Sequence, residues 1–127
     1  MVQLSSTTQL NWGTYNTVLS LTLTNIGLYD LYATMTYEWF TGSAATNQIN
    51  YSISTSTSAP DSNSYASGYA TPYFAVATNG LETVNFRRIY YNTTNPTTMY
   101  FIVYFSGGAY NYGYATTPTI FQSIRIA

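Results

Sequence analysis

An all-β fold, an antiparallel β-sandwich of jelly-roll type with seven or eight strands, is predicted by three features of this sequence. Fifteen Tyr, six Phe and two Trp bring the aromatic content to 18%, and Thr is abundant; such side chains suit a pleated, half-buried surface. No apolar run recurs at 3.6-residue spacing over three turns, so no helix is expected. Short alternating segments follow one another at fairly regular spacing, divided by Gly, Pro and Asn turn signals. The 127 residues fit a single domain, 1–127, able to bury a core without covalent staples. Neither an internal repeat nor a linker divides it, and residues 1–14 read as an N-terminal arm or edge strand.

The first clear strand runs from Thr17 to Asn25, with Leu19, Leu21 and Leu23 on one face. Asn25-Ile26-Gly27 follows as a turn, because Asn and Gly accept positive φ. Leu28 to Phe40 is the clearest strand. Tyr29, Leu31, Ala33, Met35, Tyr37 and Trp39 alternate with Asp30, Tyr32, Thr34, Thr36 and Glu38, which sets one face on the core and one largely in water. Gln48 to Ile53 is a shorter strand. Ser54 to Gly68 is the longest candidate loop, and loops of that length commonly bind something or are covered by a neighbour.

Tyr73 to Ala77 and Thr83 to Tyr91 read as strands separated by Asn79-Gly80, a dipeptide typical of hairpin turns. After a turn at Asn92 to Pro96, the segment Thr98 to Phe105 is apolar on both faces, Met99, Phe101, Val103 and Phe105 against Tyr100, Ile102 and Tyr104. Such a strand is either sandwiched between layers or buried by another subunit on its outer face. Ser106-Gly107-Gly108 breaks it, and Thr119 to Ile126 closes the fold.

The chain contains no Cys, His or Lys, which removes the usual bases, thiol nucleophiles and Schiff-base amines. Its acidic side chains are Asp30, Glu38, Asp61 and Glu82; Asp30 and Glu38 share a face but lie roughly 26 Å apart along a strand, too far for a glycosidase pair. Asp61-Ser62-Asn63 begins like a calcium loop, but Tyr65 and Ala66 stand where a ligand and a glycine should follow, and an ordinary turn is the simpler reading. No enzyme, cofactor or metal is expected. The net charge of −1 excludes the basic footprint of a nucleic-acid binder. No run is long enough for a membrane-spanning helix, and the start, Met1-Val2-Gln3-Leu4, lacks the features of a signal peptide.

Charged residues are only 6% of the chain, so association goes unopposed by charge; either the bias is compositional or much of the tyrosine-rich surface lies in subunit contacts, where aromatics are enriched. Arg87-Arg88 sends one guanidinium towards the covered side. That side chain either snorkels at a sheet edge or pairs with Glu82 or Glu38 of a neighbour, and Arg125 is placed to do the same. The loop residues Asp61, Asn63 and Tyr65 and the Gly- and Tyr-rich stretch bearing Tyr110, Tyr112 and Tyr114 have the composition of adaptable binding loops, suited to stacking sugars or docking on a protein; the second stretch reads equally as a mobile hairpin tip.

The order of a Gly-x-Tyr-x-apolar turn at Gly27-Leu28-Tyr29-Asp30-Leu31, an apolar strand Met99 to Phe105, a glycine-rich break and a final strand Phe121-Gln122-Ser123-Ile124-Arg125-Ile126 resembles the trimeric jelly-roll heads of the tumour-necrosis-factor-like and complement-head superfamily, in particular head modules of phage and algal-virus virion proteins. The likeness is one of pattern over roughly residues 17–127, and Ser123 stands where that family commonly has a glycine. The resemblance implies a homotrimer packed through a strand face, with Tyr100, Ile102 and Tyr104 as the axial face and Arg87, Arg88 and Arg125 as candidate subunit contacts. A head with no shaft, made in the host cytoplasm, suits a capsid decoration or cement protein on the virion exterior, its partners being itself and a major capsid or other virion protein. A receptor- or glycan-binding knob, with a cell-surface glycan as partner, is the alternative.

Overall fold

The computed structural model describes residues 1–41, 45–62, 67–70, 73–74, 78–107 and 112–127, and among them ten strands and no helix. In chain order these are β1 (Val2–Gln3), β2 (Thr8–Leu10), β3 (Tyr15–Leu23), β4 (Gly27–Thr41), β5 (Ala45–Ser54), β6 (Ser67–Ala70), β7 (Tyr73–Phe74), β8 (Thr78–Asn92), β9 (Thr97–Gly107) and β10 (Tyr112–Arg125). Four are fragments: β1 and β2 both pair with β10, and β6 and β7 both pair with β5. Each fragment pair fills one strand position, which leaves eight positions.

Those positions form two antiparallel sheets. The front sheet runs β1/β2-β10-β4-β8 and the back sheet β3-β9-β5-β6/β7. The first position pairs with the last, β3 with β9, β4 with β8, and β5 with β6/β7. That nested pairing is the order of a jelly roll.

Alternation in β4 places Tyr29, Leu31, Ala33, Met35 and Tyr37 in the core. From the back sheet Met99, Phe101, Val103 and Phe105 of β9 face them, all essentially without exposure; burial of each contributes about 1.5–3 kcal/mol. The two layers interlock through rings, with Phe105 edge-on to Tyr37 at 6.2 Å and Phe101 tilted against Phe121 at 6.4 Å. The N-terminal arm folds back on its own chain. Leu10 is buried opposite Gly113, and Trp12 stacks on Phe105 at 5.0 Å.

Pro118 cannot donate to a ladder, yet it lies within β10, which is bonded on both sides. The register to β4 therefore shifts between Thr116 and Ile120, and a buried hydroxyl fills the gap. Thr36 N–H donates to Thr119 Oγ1 at 3.1 Å, Thr119 Oγ1 donates to Thr116 O, and Thr36 Oγ1 donates to Pro118 O at 2.8 Å.

Two expected turns are strand. Asn79-Gly80 lies inside β8, opposite Phe40 and Trp39. A hairpin there would need the flanking strands to pair with each other, but β7 joins β5 and β8 runs on to match the full length of β4. Tyr112 and Tyr114 belong to β10, opposite Phe40 and Glu38, rather than to a loop tip.

Gly27 opens β4 with φ +148°, and a Cβ there would overlap the Ala127 carbonyl oxygen and lie 2.7 Å from Arg125 Nε. The chain end is held at this point by Leu28 N–H to Ala127 O (2.9 Å) and Ile126 N–H to Leu28 O (2.8 Å). Gly13 also has positive φ, +75°, but open space around it. Urea unfolding is expected to show Gly27→Ala destabilising by about 2–3 kcal/mol and Gly13→Ala by about 1 kcal/mol; equal losses would mean that the C-terminus does not pack on Gly27.

Candidate functional site

The residues expected to line a three-fold axis sit on the outward face of the back sheet. Tyr100 and Tyr104 are half-buried there, and Tyr104 leans on Tyr15 at 5.1 Å. Burial first and the neighbouring Tyr104 second push the Tyr15 hydroxyl's pKa up. Ile102 is covered completely by its own chain, between Thr17 and the equally buried Ser52. Ile102 itself therefore offers nothing to a neighbour, while Tyr100 and Tyr104 keep part of their surface in solvent.

The open apolar surface lies on the front sheet instead. Ile26, Leu81, Ile89, Tyr91, Ile124 and Ile126 are 51–63% exposed, and all but Leu81 gather at one end. Register places Tyr91 beside Leu28, and Ile89 and Ile124 on either side of Asp30; Ile126 N–H bonds to Leu28 O. Alternation carried the signal. Ile89 and Tyr91 point away from the buried Val84, and Ile124 away from the buried Phe121.

Next to this end lies the most polar part of the face. Arg87 grips Asp30 with both Nε and one terminal nitrogen, each at 2.7 Å, and that hydrogen bond first, the carboxylate charge second, raise the Arg87 pKa. Asn85 Oδ1 accepts from Tyr32 Oη and Thr34 Oγ1, both at 2.9 Å. Asp30, Tyr32, Arg87 and Gln122 line an open depression of about 400 Å³. The Arg87 partner is thus on the adjacent strand of the same chain. Arg125 is exposed and lays its guanidinium over Gly27.

Arg88 is the guanidinium turned inwards, and it is 7% exposed. It neither snorkels nor reaches another subunit. From the front sheet it crosses to the back, donating to Ile53 O at 2.6 Å and to Asp61 Oδ2 at 2.5 Å, with its guanidinium over the Tyr90 ring at 4.9 Å. Asp61 was expected in an exposed binding loop; it is the hub that fixes that loop. It accepts from Ser54 Oγ (3.1 Å), Thr55 N–H (3.1 Å) and Thr55 Oγ1 (2.7 Å) as well as Arg88. Asn63, Tyr65 and Tyr110 lie outside the described residues, as does the side chain of Tyr112. Tyr114 is half-buried in β10. Among the described residues no three acidic side chains gather where they could hold a metal ion.

Comparison with known proteins returns no match: no family model, no curated protein and no solved structure is significantly similar to this chain.

Burial pushes the Asp61 carboxyl up, but hydrogen bonds from Arg88 and from the Thr55 hydroxyl and N–H, with the Arg88 charge, outweigh it and hold the pKa below its ordinary 3.8. A depressed folded pKa stabilises fully above the unfolded value and ceases to do so as pH falls through the folded one. The wild type is therefore expected to lose stability as pH falls below about 4. Asp61→Asn removes that component of the acid loss and, by leaving Arg88 buried without a counter-charge, costs about 3 kcal/mol at neutral pH. Urea titrations at pH 7 and pH 3 measure both; an unchanged midpoint at pH 7 would mean that the pair does not hold the sheets together.

Proposed function

We propose that this protein works by assembly: a homotrimeric virion structural module that decorates or cements a capsid exterior. The observation that carries the reading is the exposed apolar end of the front sheet, in a chain whose charged residues are only 6% of the total. Isolated exposed apolar residues are ordinary, but a contiguous group is a mark of protein contact. Because Ile102 is buried, we assign the axial contact to Ile89, Tyr91, Ile124 and their neighbours in place of Tyr100, Ile102 and Tyr104. The jelly-roll order agrees with the fold implied by the resemblance to virion head modules. On a shell, each contact formed only in the assembled state stabilises that state by mass action.

A glycan-binding knob is the second reading. It loses Asp61, which its own chain occupies, but the depression at Asp30, Tyr32, Arg87 and Gln122 offers the planar polar groups and aromatic edge that hydroxyl-rich ligands use.

Light scattering on the isolated protein is expected to give about 42 kDa, three times the 14.1 kDa chain. The double substitution Ile124→Lys and Ile126→Lys, at exposed positions outside β8, should leave it folded and abolish the three-chain species. A wild type of one chain mass at all concentrations would overturn the preformed trimer.

A further inference from the structure

Sheet edges attract other chains, because their outer backbone groups are unpaired; short strands, bulges, prolines and lysines are the usual protection. Three of the four edges here follow that rule. The front sheet starts at β1 and β2, two and three residues long. The back sheet is bounded by β3, with a register break between Thr17 and Leu19, and by β6 and β7, four and two residues long.

The fourth edge does not. β8 is fifteen residues long, with no proline, and its register to β4 runs unbroken from Gly27–Asn92 to Thr41–Thr78. Among the described residues, β4 is its only partner. Arg87 lies across the sheet on Asp30 rather than guarding the edge, and Arg88 turns inwards. The outward residues Leu81, Thr83, Asn85, Arg87, Ile89 and Tyr91 are all exposed.

We propose that β8 is a homotypic strand-addition edge, on which β8 of a second copy of this chain pairs antiparallel about a two-fold axis through Asn85. The register follows from the sequence. A two-fold axis perpendicular to the sheet keeps outward residues opposite outward ones, so the axis passes through a residue. Centred on Asn85, the pairing joins Thr78 to Asn92 of the copy and uses the whole strand. It sets Leu81 against Ile89 and Val84 against Phe86, so these apolar positions meet apolar ones. Centring on Val84 sets Leu81 against Arg87, centring on Phe86 sets Val84 against Arg88, and centring on Arg87 sets that residue against itself. Like charges directly opposite are destabilising.

This contact is two-fold and does not rest on the three-fold reading. Together the two would tie each trimer to its neighbours edge to edge, as a layer over a shell requires.

The chain has no cysteine, so single-cysteine variants report the register directly. Two copies of residue 85 would face each other at about 5 Å between Cβ atoms, whereas two copies of residue 83 would be about 13 Å apart along the strand. Under mild oxidation Asn85→Cys is expected to form a disulfide-linked dimer at least about tenfold faster than Thr83→Cys. Equal rates, or no dimer from Asn85→Cys, overturn the proposal. Position 83 faces Arg87 of the copy, so Thr83→Glu should tighten the two-fold contact severalfold and Thr83→Lys loosen it, as read by sedimentation equilibrium. Indifference to both overturns the register. A wild-type trimer without Asn85 cross-linking sinks this inference alone; an Asn85-linked dimer with nothing larger sinks the trimer alone.

Discussion

Along β4 every second side chain from Tyr29 to Tyr37 is removed from water, while its backbone is paired to β8 on one side and β10 on the other. Both requirements have to be met by one run of fifteen residues, and the rest of the sandwich is arranged around that. A one-residue slip against either neighbour would turn the whole core face outwards. The long alternation therefore fixes not only β4 but the register of β8 and β10. It also fixes, by elimination, which of their side chains remain in water. Ile89 and Ile124 are exposed because they flank Asp30, and Asp30 faces out because Leu31 faces in.

A core so apolar leaves little room for polar exceptions, and two of them, Arg88 and Thr119, are held by several bonds each. Arg88 crosses between the sheets and carries its charge into a setting where an unpaired guanidinium would be strongly unfavourable. Ile53 O and Asp61 supply its partners. Because Asp61 also collects Ser54 and Thr55, the ion pair orders a loop of small polar residues that could bury little of its own. Thr119 does for a proline-bearing strand what Arg88 does for the loop. Its hydroxyl takes the ladder position that the bulge leaves empty. Each device gathers several bonds on one side chain, which is why one arginine and one threonine suffice where the chain has few charged residues to draw on.

This division explains what the sequence made legible. Strands β3, β4 and β9 were readable because period-two alternation is a property of the segment itself. Asn79-Gly80 misled because a turn dipeptide expresses its preference only if the flanking segments pair with each other, and here their partners lie in different sheets. The first half of β10, with Gly113 and Pro118, has poor strand propensity and is strand because β4 and β2 pair with it on both sides. Asp61 and Arg88 stand twenty-seven residues apart, and no local rule joins them. Ile102 reads as a contact to another subunit because nothing local in the sequence reveals that it lies between Thr17 and Ser52 of its own sheet, fully buried.

Where a surface is left apolar matters more to function than how apolar the chain is. The back sheet spends its tyrosines internally: Tyr104 on Tyr15, and Tyr51 edge-on to Phe86 at 5.6 Å. Its outward face is closed around Ile102. The front sheet keeps isoleucines in water on a face where threonine, the residue of the neighbouring positions 34, 36 and 83, would serve the strand as well. The edge of that same sheet keeps a full-length strand without the blunting found at every other edge. Two features, a face and an edge that share Ile89 and Tyr91, thus concentrate on one side of the molecule. Net charge near zero removes the long-range repulsion that would oppose a second copy there. A protein selected to remain alone would place such features apart or cover them with charge; their coincidence on the front sheet is what the proposed association rests on.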